Sequence, residues 1–323
     1  MTLHYTTSPH LRGNDTTAKL MRDVILALLP ALIVGVAVQG VRTLIVTLIS
    51  VASAVISEGL YRLATRQYCT LTDGSAALTG LLLAMTLPAS VPYWLPAAGA
   101  VFAVVVVKAM CGGLGQNIFN PALAARAFLL LVWPAYLIRF AAVGEPLGLA
   151  NQVDMVASAT PLHHMQIPAL PEEPLQDLFL GNMGGTIGET CTLALLLGGI
   201  YLVIRKVITV RIPVAYLGTV AVLTLVFHKT DNALIWMAYQ LCSGGVVLGA
   251  IFMATDYVTS PTTKMGQILY GAGCGILTVV FRYTGLFPEG VTYAILLMNA
   301  SVWILERHTA PRIFGNRKGG AAR

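Results

Sequence analysis

A threonine hydroxyl can carry a phosphoester, and this chain places one such hydroxyl, Thr160, in the run Ser158-Ala159-Thr160-Pro161-Leu162. The run sits inside the only long polar stretch of an otherwise apolar sequence. Set just outside a bilayer, such a threonine could hold a phosphorylated cofactor beside the membrane. Ser, Ala, Thr and Pro also build ordinary turns, so the tetrapeptide carries information only through its setting.

Two glycine-rich runs offer further binding chemistry. In Cys111-Gly112-Gly113-Leu114-Gly115-Gln116-Asn117-Ile118-Phe119-Asn120-Pro121-Ala122, glycines let backbone approach a flat ligand closely. Asn117 and Asn120 add amide donors and acceptors, and Pro121 suits a first helical turn. A half-helix pair around a polar cofactor or ion needs these residue types; a capped interhelical turn uses them too. The run Gly181 to Thr190 contains Gly185 and Gly188 just before an apolar helix, where free backbone N–H groups favour phosphate. Glu189 could instead cap that helix itself.

Glu58, Asp73 and Asp256 lie within or at the ends of apolar spans. Ionisable groups there are costly, which makes all three candidates for handling Na+ or H+, alongside the plainer role of ion pair or cap. His163-His164 has no third metal ligand at useful spacing and reads as solvated loop. The five cysteines include no C-x-x-C pair, so free thiols are expected and a metal site is not. No catalytic acid–base pair stands out.

These residues must be positioned by membrane helices. Of 323 residues, 56% are hydrophobic and 11% charged, and the mean hydropathy is +0.76. Soluble domains carry about 25% charge. The sequence predicts an all-α polytopic membrane protein with about ten transmembrane helices. Apolar segments run approximately over 21–38, 43–64, 75–87, 93–110, 122–138, 189–204, 213–227, 233–255, 266–281 and 289–305. Several fall short of the roughly 20 residues a spanning helix needs, which predicts broken or half helices facing protein or a cavity. The first apolar run has no cleavage pattern after it and reads as a retained helix.

With the N-terminus placed in the cytoplasm, only Arg42, Arg139, Lys229 and Arg282 of the 20 basic residues fall outside, and Arg126 lies within a span. That bias predicts both termini cytoplasmic and the Thr160 loop extracytoplasmic; the net charge of +6 then reports topology and not nucleic acid. The expected organisation is a cytoplasmic segment 1–20, a membrane half 21–140, an extracytoplasmic loop 141–188, a second membrane half 189–306 and a basic tail 307–323. The halves look related: Gly80 to Thr86 recurs in pattern as Gly249 to Thr255, and Phe119 to Leu130 as Phe287 to Met298. Such duplication is a mark of transporter-like folds.

The motifs together resemble the RnfD family, the D component of Rnf ion-translocating ferredoxin:NAD oxidoreductases, to which the NqrB component of the sodium-pumping NADH:quinone reductase is homologous. The resemblance covers nearly the whole chain, from Ser8-Pro9-His10 through Leu78 to Ala84, Gly112 to Ala122, Ser158 to Leu162, Gly188-Glu189-Thr190 and Thr255 to Thr263, to Pro311-Arg312-Ile313-Phe314-Gly315. It implies FMN joined to Thr160 through a phosphoester, installed by a separate flavin transferase, with Ser158, Gly185 and Gly188 nearby. It further implies a second, non-covalent flavin, such as riboflavin, with Asn117 and Asn120 in its shell. The implied setting is a bacterial or archaeal inner membrane, among the other Rnf components: membrane-embedded A and E, flavin-bearing G and peripheral B and C. The chain lacks the longer N-terminal extension of the quinone-reductase homologue, so a quinone site is not expected. A stand-alone repeat-type transporter or channel is the alternative, and a purely structural scaffold a third; both leave Thr160 without a role.

Overall fold

In hydrocarbon every backbone N–H and C=O must find a partner within the protein. Among the described residues the chain meets this with helices, apart from an isolated bridge between Pro88 and Thr186. The computed structural model describes residues 16–66, 71–138, 140, 174–181, 184–285 and 290–310. Thr160 and Ser158 lie outside them, as do His163, His164 and Cys69.

The first half comprises α1 (Thr17–Gln39), α2 (Val41–Thr65), α3 (Ser75–Met85), α4 (Trp94–Val101, continued by a π-helix over Phe102–Ala109), α5 (Pro121–Val132) and the short α6 (Pro134–Leu137). After α7 (Leu175–Leu180), the second half comprises α8 (Thr192–Ile204), α9 (Arg211–Val226), α10 (Ala233–Cys242), α11 (Val246–Leu248, continued by a π-helix over Gly249–Met253), α12 (Lys264–Thr284) and α13 (Val291–Thr309). Hydroxyl and amide caps start several of them: Thr16 accepts from the Lys19 amide at 3.3 Å, and Thr263 from that of Gly266 at 3.1 Å.

Each predicted apolar segment coincides with one helix or one bent pair. Among the described residues three helices, α1, α2 and α12, are long and apolar enough to cross a membrane, and α10 with α11 forms a pair bent by 64°, the geometry of a broken span or a re-entrant loop. Helices α3, α4, α5, α8 and α9 are shorter apolar helices. This is the all-α, broken-helix architecture expected.

The sequence repeat can be laid over these elements. Its alignment pairs α1 with α8, α2 with α9, α3 with α11, α4 with α12 and α5 with α13, and two equivalent pairs, α1 with α8 and α5 with α13, touch directly. Within the halves α2 packs on α3 and α4, and α9 on α12. Buried hydroxyls join these contacts: Ser50 Oγ donates to Gly80 O at 2.7 Å, and Tyr216 and Thr278 share a 2.7 Å bond. At the level where α4 begins and α5 ends, Trp94 meets Trp133 and Tyr136 edge-on at 5.1 and 6.0 Å, the amphipathic aromatics expected at a membrane interface.

Residues 184–190 are built into the core. Gln39 Nε2 donates to Gly185 O at 3.0 Å, and the Ile187 amide to Leu87 O at 3.0 Å. Arg42 fixes the adjoining loop after α3, donating to the carbonyls of Ala89, Ser90 and Val91 at 2.9, 3.2 and 3.0 Å.

Candidate cofactor pocket and charged sites

The glycine–asparagine run turns the chain from α4 into α5. Gly112, Gly113 and Gly115 all have φ near +100° (112°, 99° and 95°), backbone that L side chains rarely adopt, so the tight descent to Asn117 depends on glycine. Asn117 is buried and its Nδ2 donates to Phe119 O at 3.1 Å. Asn120 does two jobs. Its Oδ1 accepts from the amides of Ala122 and Leu123 at 3.1 and 3.4 Å, starting α5, while its Nδ2 crosses to Met253 O at 3.2 Å in the other half. Asn299 of α13 completes the seam: with its amide oriented to suit its neighbours, it accepts from Asn120 N at 3.1 Å and donates to Thr259 O at 3.2 Å.

Both asparagines line an open-mouthed pocket. Leu20 and Val24 of α1, Leu78 and Leu82 of α3, and Ile251 and Phe252 of the second π-helix give it apolar walls. Ser75, Lys108, Thr255 and Asp256 add polar groups to its lining. The two π-helices supply Lys108, Ile251 and Phe252, and π-turns often mark functional sites. Apolar faces with a few polar groups among them are a lining chemistry compatible with a flat heteroaromatic ring that has an amide-bearing edge.

The sequence candidates divide between this pocket and its surroundings. Asp256 lines it, accepting from Thr259 Oγ1 at 3.1 Å; burial pushes its carboxyl up, against hydrogen bonds from Thr259 and the Val258 and Tyr257 amides. Glu58 stands behind the wall in an ion-paired network. Lys108 Nζ donates to its two oxygens at 3.1 and 3.0 Å and to Ser75 Oγ at 2.6 Å, while Arg62 Nε and Nη2 each reach Oε1 at 3.3 Å. Asp73 caps α3, accepting from Ser75 N and Oγ at 2.8 and 2.6 Å. These contacts give Glu58 and Asp73 structural partners and leave Asp256 as the candidate carboxylate at the pocket.

Gly185 and Gly188 lie on the opposite side, where 184–190 meets α3. A Cβ on Gly188 would stand 2.7 Å from Met85 O, so only glycine permits that approach. Neither glycine lines the larger pocket. Sequence reasoning passed over Lys108, counted among topology-setting basics, and Asn299. A charge inside an apolar span was the available signal for the lysine; a lone asparagine late in a helix offers none.

Half helices meet at a seam between the two membrane halves, with a pocket beside it. The chain belongs to the NQR2, RnfD, RnfE family, which it matches over residues 4–315. It is 44% identical over 321 residues, 98% of this chain and 97% of the relative, to the D component of the Na(+)-translocating ferredoxin:NAD(+) oxidoreductase complex of Acetobacterium woodii. Identity is 40% over 321 residues, 96% of each chain, to the D component of the proton-translocating ferredoxin:NAD(+) oxidoreductase complex of Clostridium ljungdahlii. It is 32% over 352 residues, 99% of this chain and all of the relative (100%), to the D component of an ion-translocating oxidoreductase complex of Escherichia coli. One relative is named for Na+ and another for protons at similar identity, so overall likeness does not select the coupling ion.

Proposed function

We propose that this chain is the D-type membrane component of an Rnf ion-translocating ferredoxin:NAD+ oxidoreductase, carrying FMN on Thr160 and a second flavin in the pocket at Asn117 and Asn120. The observation that carries the reading is similarity to the D components of such complexes along nearly the full length of the chain. The Ser158-Ala159-Thr160-Pro161 run and the glycine–asparagine run supply the chemistry for the two flavins. The A, B, C, E and G components are its partners, and a flavin transferase matures it.

A flavin takes up electrons singly or in pairs and so links one-electron centres to two-electron carriers. The chain's own residues supply position. Attachment through the Thr160 hydroxyl leaves a ring free and prevents loss of FMN outside the membrane. At the pocket, Leu78, Leu82 and Phe252 supply apolar walls, Asn120 joins the halves, and Asp256 brings a protonatable group to the lining. Redox energy moves Na+ or H+ only if the two redox states differ in ion affinity or access.

The deciding experiment is in-gel flavin fluorescence of the denatured chain, expressed with a flavin transferase, beside a Thr160→Ala variant. Fluorescence that survives denaturation in the parent and vanishes in the variant is expected. A dark parent band, with the transferase active on another substrate, would end this reading and favour a transporter without redox cofactor.

A further inference from the structure

The C-terminal ends of two short helices converge where the halves meet. Thr86, which caps α3, and Met253, which ends the α11 π-segment, line a second, narrow pocket with Arg126 of α5, Glu189 and Thr292 of α13. Helix C-termini carry partial negative charge. Two of them and a carboxylate, enclosed within apolar helices, form a place for a cation.

The cation there is part of the chain. Arg126 is 6% exposed and lies within electrostatic range of Glu189 and Tyr293. Glu189 is 5% exposed, lines the same pocket, and its Oε1 makes no hydrogen bond among the described residues. Cβ atoms on Gly245 and Gly185 would come within 3.3 and 3.4 Å of its carboxylate oxygens, so glycines leave that carboxylate its room. A second guanidinium within range, Arg282, is committed elsewhere: it donates to Gln240 O, Gln240 Oε1 and Ser243 O at 2.6, 2.9 and 2.8 Å and holds the break between α10 and α11. The larger pocket ends on Asn120, Pro121 and Ala122, and the smaller begins at Leu123 and Arg126 on the same helix.

We propose that Arg126 is a tethered cation, with Glu189 as its counter-ion, that fills the ion position between the halves and closes this protein's own axis to Na+ and H+. A cation entering from the larger pocket meets fixed positive charge past the Asn120–Met253 contact, in surroundings where repulsion is poorly screened. Fixed arginines bar cations from membrane pores by the same physics. Ion flux then follows a route formed elsewhere in the complex.

The inference rests on the proposed function only in naming the complex to be reconstituted. The assembled complex in liposomes, without electron donor, is assayed for passive uptake of radioactive Na+ and for decay of an imposed pH gradient. The parent and Arg126→Lys are expected to stay tight, while Arg126→Gln raises a cation leak about tenfold or more, equivalent to about 1.4 kcal/mol off the barrier. Should Arg126→Gln fail to assemble because it strands a buried carboxylate, the double variant Arg126→Gln/Glu189→Gln removes both charges and takes its place with the same expectation. An assembled neutral variant as tight as the parent overturns the proposal. A leak in Arg126→Lys equal to that in Arg126→Gln overturns it too, because packing and not charge would then make the seal. No flavin or electron transfer enters the assay, so failure of the flavin reading leaves its result intact.

Discussion

At the scale of single residues, the Lys108–Glu58 pair shows how a buried charge is kept. Both side chains are about 2% exposed, and each would be expensive alone in an apolar wall. The lysine spends its three N–H groups on two carboxylate oxygens and the Ser75 hydroxyl. Removing one partner therefore costs more than the pair is worth. Lys108→Met is expected to destabilise the protein by roughly 3–5 kcal/mol, whereas the double variant Lys108→Met/Glu58→Gln recovers most of that loss. Thermal unfolding of the purified complex, read by tryptophan fluorescence, measures both. If Glu58 served instead as a transported-ion ligand, the double variant would be stable yet need more Na+ or H+ for turnover; an unchanged ion requirement is expected.

At the scale of elements, the apolar segments of the sequence and the structure agree on where helices lie, because apolar length and Gly, Pro or Asn boundaries are local properties. The short segment 75–87 reads as a half helix, and α3 is one. The pattern shared by Gly80–Thr86 and Gly249–Thr255 also marks two elements that end at one seam, although the second winds as a π-helix, which no local pattern announces. The site is less legible. Asn117 and Asn120 are readable as binding candidates, but the partner of Asn120 is 133 residues away, and only the folded halves bring Met253 O to it. Asn120 thus joins a local role to a distant one, and substitutions can separate them. Asn120→Ser retains a capping oxygen and loses the bond to Met253. Asn120→Ala loses both, with about 1 kcal/mol more lost for the cap. Both variants are expected to lower non-covalent flavin per chain, and Asn120→Ala to lower the midpoint of unfolding further. Flavin released by acid precipitation, compared with the covalent fluorescent band, reads the first effect without interference from Thr160. Undiminished release from Asn120→Ala would remove this seam from the flavin's surroundings.

At the scale of the molecule, the repeat constrains topology. Five apolar segments precede the polar stretch 141–188 and five follow it; if each crosses the membrane, the two halves are expected to lie inverted, with both chain ends on one side. Packing of α1 on α8 and of α5 on α13 fits such a pair of halves meeting along equivalent faces. The distribution of lysine and arginine predicts that this shared side is the cytoplasm, with the acidic stretch from Glu145 to Asp177 expected on the other. The two sides can be told apart with single cysteines in a background lacking the native ones, of which Cys111 is exposed. Ala321→Cys in the basic tail is expected to react with an impermeant maleimide only in inside-out vesicles, and Glu173→Cys only in right-side-out vesicles. Labelling of both from the same side would break the inverted arrangement, and with it the placement of Thr160 outside the membrane where a phosphoester-linked flavin could face a partner protein. Opposite labelling with the sides exchanged would keep the inversion and reverse only the assignment drawn from the basic residues.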